Sequence, residues 1–193
     1  MASIIEIRNL VHRFADGTTG LDSISLDIQA ESFVLLAGAN GSGKTTLLRH
    51  LNGLLTPTSG TVRVAGRSVA QDLRRARTLV GMIFQDAESQ IIGETVASDV
   101  AFGPENLRLP RPEVERRVAA ALAAVGLDAP GERRPHLLSG GEKRRLSIAG
   151  VLAMQPQVLV FDEPFSNLDY AGVRQVLGRM VELHRAGRTL VVT

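Results

Sequence analysis

The sequence contains no cysteine and no tryptophan, and aromatic residues make up only 4% of it. Without cysteine there is no disulfide and no thiolate-held metal, which fits a reducing compartment such as the cytoplasm. His12, His50, His136 and His184 stand at no ligand spacing, so a histidine metal site is not expected either. No apolar run approaches the roughly 20 residues that span a bilayer. The opening "MASIIEIRNL" lacks a basic stretch followed by a long apolar run, so no leader peptide is expected. Any membrane role is therefore expected to be peripheral. Charge of one sign is missing too. The 22 basic and 20 acidic residues leave a formal net charge of +2, which points to no nucleic-acid partner.

What is present is ordinary for a globular chain of 193 residues, with 44% hydrophobic and 22% charged residues. That length suits one domain, or a core with a small insertion. "SIIEIRNLVHRF" and "SISLDIQA" alternate apolar and polar residues and predict half-buried strands, paired antiparallel across "ADGTTG". "FVLLAG" is continuously apolar, which predicts a strand covered on both faces. It runs into a glycine-rich loop and the expected helix "KTTLLRHLNGLL". "TVRVAG" and "LVGMIF" predict further strands.

From Thr95 to Arg134 the character becomes helical, with Val114, Val118, Leu122 and Val125 at helix spacing. Strand–helix alternation then returns. A helix is expected over Gly141–Met154, a strand at "VLVFDE", a helix over Gly172–Arg185 and a strand at "TLVVT". This order predicts an α/β protein with a mostly parallel sheet, carrying N-terminal antiparallel strands and a small helical subdomain. The expected division is a single domain, 1–193, with its core at 1–94 and 135–193 and the helical subdomain at 95–134. "TLVVT" ends at Thr193 with no closing element, so the chain is expected to be part of a longer protein.

"GANGSGKTT", Gly38 to Thr46, fits G-x-x-x-x-G-K-[ST] between a buried strand and a helix. Its glycines Gly38, Gly41 and Gly43 let backbone N–H groups, with Asn40 and Ser42 between them, turn inward around a triphosphate. The helix dipole adds to this. Lys44 is expected to reach the β- and γ-phosphates, Thr45 to bind Mg²⁺ and Thr46 to bond the α-phosphate. "VLVFDE" places Asp162 and Glu163 at the carboxyl end of a buried strand, where ligands of open α/β sheets bind. Asp162 suits an outer role at Mg²⁺, behind the groups that touch the ion, and Glu163 suits accepting the proton of an attacking water. An ordinary acidic strand end is the bland alternative.

"LSGGE" is a second glycine-rich helix start, without a lysine. Ser139, Gly140 and Gly141 offer a hydroxyl and backbone donors suited to a γ-phosphate, while Ser139 with Glu142 also reads as a capping box. Both readings hold together. One ATP cannot easily use both loops of one subunit, so each loop is expected to serve a different subunit's nucleotide.

These motifs, with "VLVFDEP" and "SNLD", stand in the order and spacing of the ATPase subunits of ATP-binding cassette (ABC) transporters, which the whole chain resembles. The resemblance implies the P-loop NTPase, RecA-like fold of that family. It also implies a head-to-tail dimer, of two copies or with a paralogue, holding ATP and Mg²⁺ between the phosphate loop of one subunit and "LSGGE" of the other. Gln85 of "IFQD" resembles the Q-loop glutamine, which meets Mg²⁺ or the attacking water. Asp169 resembles the D-loop aspartate. Phe14 resembles the aromatic that stacks on adenine; its bland alternative is a core aromatic at a strand end. The family's switch histidine is expected directly after "TLVVT".

"FQDAESQIIGETVASDVAFGPENLRLP" resembles the energy-coupling-factor and cobalt-type importers in Gln90, Thr95, Val96, Asp99 to Gly103, Glu105 and Asn106. Asp86, Ala87 and Glu88 depart from that pattern. The branch implies an ATPase on the cytoplasmic face of the membrane, driving uptake of a vitamin or a cobalt or nickel ion. Its partners there are a membrane coupling protein and a substrate-binding membrane subunit. The alternative is an ABC-type ATPase acting on nucleic acid or the ribosome, against which stands the absence of a basic surplus. The basic groups Arg108/Arg111, Arg116/Arg117, Arg133/Arg134 and Lys143–Arg145 read chiefly as solvated helix faces, with lipid headgroups or coupling helices as the other reading.

Overall fold

A computed structural model describes residues 3–127 and 131–193. Residues 1 and 2 of the expected core, and 128–130 of the expected helical subdomain, lie outside the described residues. The chain divides into two compact units. The first comprises Met1–Met82, Gln157–Asp162 and Ala186–Thr193; the second comprises Ile83–Pro156 and Glu163–Arg185.

In the first unit β1 (Ser3–Arg13) pairs antiparallel with β2 (Thr19–Gln29), as the alternation predicts. The loop Gly38–Gly43 and α1 (Lys44–Leu51) follow β3 (Phe33–Leu35). Next come β4 (Ser59–Val64) and β5 (Arg67–Ser68), giving a sheet in the order β2-β1-β4-β5. The buried side of β1 changes parity along the strand: Ile5 and Ile7 face the core, then Leu10 and His12 do. The switch falls at a register shift between Ile7 and Leu10, where Asn9 adopts a positive φ of 47°. One extra residue flips every later side chain to the other face.

The second sheet has the order β3-β8-β7-β6, with β6 (Val80–Ile83), β7 (Val158–Phe161) and β8 (Thr189–Val192). β3 and β8 are parallel, as are β7 and β8. Every residue of β6, β7 and β8 is buried, as their apolar runs predict. β3 is not covered on both faces: Phe33 is 39% and Leu35 66% exposed. It is an end strand in this order, and an apolar run alone does not distinguish an end strand from a central one. α2 (Leu73–Leu79) was not expected from its charged sequence; its start is fixed by Asp72, whose carboxylate accepts from the Arg75 N–H at 3.0 Å.

The second unit is helical: α3 (Val96–Asn106), α4 (Arg111–Ala124), α5 (Gly140–Leu152) and α6 (Tyr170–Arg185). Val100, Val114, Val125, Leu146, Ile148 and Met180 are buried here, whereas Val118 and Leu122 are only half-buried. α3 starts on a capping box between Thr95 and Ser98. Asp99, 8% exposed, accepts from the backbone N–H groups of Ile92 and Gly93 at 2.8 and 2.9 Å. It thereby anchors the loop after Gln85 to α3.

Candidate functional site

The phosphate loop belongs wholly to the first unit. Gly41 and Gly43 hold φ values of 78° and 90°, which L-residues with side chains resist. A Cβ on Gly43 would lie 2.5 Å from the Gly20 carbonyl oxygen and 2.9 Å from Leu21 Cδ2, so this glycine is needed by its own fold. Gly43 caps α1 without any side-chain hydrogen bond. The first N–H groups of α1 therefore have no competing side-chain acceptor, the condition for binding an external anion. Lys44 Nζ donates to the carbonyl oxygens of Gly38 and Ala39 at 2.9 and 3.0 Å. It folds back over the loop it serves. Asn40, Gly41 and Ser42 are exposed at its tip.

Thr45 Oγ1 donates to Asp162 Oδ1 at 2.9 Å, joining the loop to the end of β7 across 117 residues. Asp162 is 4% exposed, and the Thr193 hydroxyl also reaches Oδ1 at 3.3 Å. A hydroxyl and a carboxylate side by side are hard oxygen donors of the kind Mg²⁺ takes while retaining several waters, so the residues fit that ion. Thr46 contributes its carbonyl to His50 Nδ1, 2.7 Å away on α1. Burial pushes the His50 imidazole below its ordinary value. Phe14 is 41% exposed, its ring edge-on to His12 at 4.7 Å between centroids and close over Gly20.

The remaining candidate residues belong to the second unit. Gln85 Nε2 donates to Glu163 Oε2 at 2.7 Å, a pairing across 78 residues. Glu163 holds φ at 46°, a left-handed conformation that is uncommon for a glutamate and gathers at functional sites. Ser166 donates from its hydroxyl to the Glu163 carbonyl at 2.9 Å, closing the turn after β7. Asp169 Oδ1 accepts from the Gly172 N–H at 2.7 Å, so it caps the start of α6.

Ser139 and Glu142 form the capping box: Ser139 N–H donates to Glu142 Oε2 at 2.7 Å, and Glu142 N–H to Ser139 Oγ at 3.3 Å. The Ser139 N–H holds the Glu142 carboxyl below the usual range, with Arg133 adding to it at 3.1 Å. The cap uses a lone pair of the Ser139 oxygen and leaves its proton free to donate. Gly140 has no heavy atom within 4 Å of a Cβ built on it, and neither Gly140 nor Gly141 has a positive φ. Their own chain does not require them to be glycine.

The basic groups do not all stand on solvated faces. Arg144, grouped with Lys143 and Arg145 as a solvated face, is 3% exposed. It donates to the carbonyl oxygens of Phe84 and Gln85 and, at 3.5 Å, to Ser166 Oγ. The signal was available: Ser147, Ile148 and Val151 follow it at helix spacing and are buried. Lys143 pairs with Glu88 at 2.5 Å, and Arg117, with 16% of its side chain exposed, with Glu113. Arg116 and Arg117 hold the Glu113 carboxyl down to about 2.

A glycine loop that closes on its own lysine, joined through a threonine to a strand-end aspartate, defines a P-loop nucleotide-binding ATPase. The family described as ABC transporter matches residues 21–166, and the chain belongs to it. It is 44% identical to the energy-coupling factor transporter ATP-binding protein EcfA of Methanocaldococcus jannaschii, over 98% of this chain and 69% of that protein. It is 47% identical to the cobalt import ATP-binding protein CbiO of Syntrophus aciditrophicus, over 97% of this chain and 68% of that protein. The structure of CbiO1 from Clostridium perfringens, described as part of the ABC transporter complex CbiONQ, superposes with a TM-score of 0.90 at 34% identity. That match covers all of this chain and 78% of that one. This is therefore an ATP-binding subunit of the ABC type, with the fold expected of it. Among the described residues no helix is long and apolar enough to cross a membrane.

Proposed function

We propose that this chain is the ATP-hydrolysing motor of an importer of the energy-coupling-factor or cobalt type. It works as a dimer at the cytoplasmic face of the membrane, bound to a membrane coupling protein and a substrate-binding membrane subunit. The cargo is a vitamin or a cobalt or nickel ion. The relatives named for energy coupling and for cobalt import support this branch.

The observation that carries hydrolysis is the Gln85–Glu163 hydrogen bond of 2.7 Å at the strained turn after β7. The Gln85 amide holds the Glu163 carboxylate in one orientation. The loop amides from Gly38 to Thr46, with Asn40 and Ser42, cradle the phosphates, and Phe14 stacks on the adenine. Lys44 leaves its loop carbonyls for the β- and γ-phosphates. Mg²⁺, when bound, supplies charge neutralisation at the phosphate oxygens, and Thr45, Asp162 and Gln85 are the residues that would hold it. Glu163 accepts the proton of the attacking water.

The second glycine loop serves the other subunit. The Ser139 hydroxyl donates its free proton to the γ-phosphate held by the partner subunit, and Gly140 and Gly141 let that phosphate approach the backbone. Asp169 carries the contact across the dimer while capping α6.

The test is Glu163→Gln in the full chain assembled with its membrane partners. ATP binding should persist while hydrolysis falls by roughly 10²–10⁴-fold. Turnover at the parental rate would remove Glu163 from this role.

A further inference from the structure

We infer that Arg144 is a positioning residue that sets the Gln85–Glu163 pair and ties it to the helix carrying Ser139. The inference rests on the proposed role of that pair in hydrolysis.

A buried guanidinium is a poor way to stabilise a helix face. Ser147, Ile148 and Val151 occupy the same buried stripe of α5 with neutral side chains. Burying the charge instead carries a desolvation cost that only good hydrogen bonds offset. Among the described residues no carboxylate lies within ion-pair distance of Arg144. Its Nε is buried without a hydrogen-bond partner. Its hydrogen bonds go to neutral acceptors, the carbonyl oxygens of Phe84 and Gln85 and the Ser166 hydroxyl, while the Asp86 carboxylate acts on the charge from farther away.

Those acceptors explain the arrangement. Consecutive carbonyls of a strand point in opposite directions. The planar guanidinium fork draws the carbonyls of Phe84 and Gln85 to one side, which ends the extended run of β6 and turns the chain at Gln85. Two further bonds hold the same turn. The Phe84 N–H donates to Gln90 Oε1 at 3.1 Å, and Lys143 pairs with Glu88 at 2.5 Å. The Ser166 hydroxyl, which Arg144 also reaches, donates to the Glu163 carbonyl at 2.9 Å. One side chain thus grips the backbone on the Gln85 side directly and reaches the Glu163 side through the Ser166 hydroxyl. It does so from α5, whose N-cap is Ser139. A displacement of the Ser139 end of this helix is carried rigidly to Arg144 and from there to Gln85.

The experiment is a double-mutant cycle on ATPase kinetics, using the full chain assembled with its membrane partners. Arg144→Gln should lower kcat about tenfold, and KM for ATP should stay within about twofold because Arg144 lies outside the phosphate loop. Arg144→Lys, which keeps the charge but loses the fork, should recover part of the rate. In a Gln85→Ala background, Arg144→Gln should have no further effect on kcat, because it acts through Gln85. A loss that persists in full in that background, or a rise in KM with kcat unchanged, overturns the inference. Should Arg144→Gln fail to fold by circular dichroism, Ser166→Ala takes its place in the cycle, with a smaller loss that must again vanish beside Gln85→Ala. Parental turnover by Glu163→Gln would sink the hydrolytic reading itself, whereas additivity in the cycle beside a Glu163→Gln protein that has lost hydrolysis sinks only the role of Arg144.

Discussion

The two glycine-rich helix starts of this chain look alike in sequence and differ in how their glycines and amides are used. At the start of α1, Gly43 has a φ of 90° and backs directly onto the Gly20 carbonyl, and no side chain caps the helix. At the start of α5, Ser139 and Glu142 cap each other, and a Cβ built on Gly140 meets nothing within 4 Å beyond its own helix turn. The first loop is therefore built by its glycines and leaves its amides open, as a self-contained anion site does. The second is built by its serine and glutamate, and its glycines only clear space. A glycine that its own fold does not need is explained by something that approaches from outside. That is the physical ground for the proposal that the second loop serves a neighbour's nucleotide.

The comparison breaks most visibly with Lys44→Ala set against Gly140→Ala. Lys44 is the charge at the first loop, and removing it should weaken ATP binding to the single subunit by about a hundredfold or more. Gly140→Ala should leave that binding unchanged, because the added methyl meets nothing beyond its own helix turn. Its kcat in the assembled complex should fall by about tenfold or more, since an oxyanion contact is lost. Fluorescent-nucleotide binding and steady-state turnover read the two separately. If Gly140→Ala weakens ATP binding to an isolated subunit as Lys44→Ala does, the division of labour between the loops is wrong.

Much of the phosphate loop was legible because its physics is local: the glycine turn, the lysine and the helix start are consecutive residues. The strands with clean alternation were legible for the same reason. The Gln85–Glu163 bond spans 78 residues and Arg144 reaches back 59 and 60, and no spacing rule connects such positions. The sequence pointed to Gln85 only through the family resemblance, and it read Arg144 as a solvated charge because arginine usually is one. The exposure of Phe33 and Leu35 followed from strand order, which no window of residues contains. The bulge at Asn9 was hidden because β1 carries apolar residues on both sides of the parity switch.

The comparison sharpens with stability measurements on the serine. Ser139→Ala removes the side-chain acceptor of the Glu142 N–H and should cost about 1 kcal/mol, the typical worth of such a cap. It also removes the proton proposed for the partner's γ-phosphate, so kcat should fall while KM holds. Ser139→Thr keeps both the acceptor and the proton and should retain most of the stability and the rate. Chemical denaturation beside ATPase kinetics separates the two roles. A Ser139→Ala protein with a lower midpoint and parental kcat would leave the loop as a helix cap and nothing more.

The smallest expected effect concerns the other half of the same box. The Ser139 N–H holds the Glu142 carboxyl below its ordinary value, so the folded state binds that proton more weakly than the unfolded chain does. The stabilisation is fully present above the unfolded value of about 4.3 and is lost as pH falls through the lower folded value. Glu142→Gln keeps an amide oxygen for the Ser139 N–H but has no proton to gain. It should be slightly less stable near pH 7, where the pairing with Arg133 is lost, and its thermal midpoint should fall less steeply between pH 5 and pH 3, a window around that unfolded value. No equivalent acid dependence arises at α1, whose first turn holds no acidic residue. Parallel acid titrations of the parent and Glu142→Gln with identical slopes would mean that the carboxylate contributes nothing as a charge and that its hydrogen bond to Ser139 is its whole part in the loop.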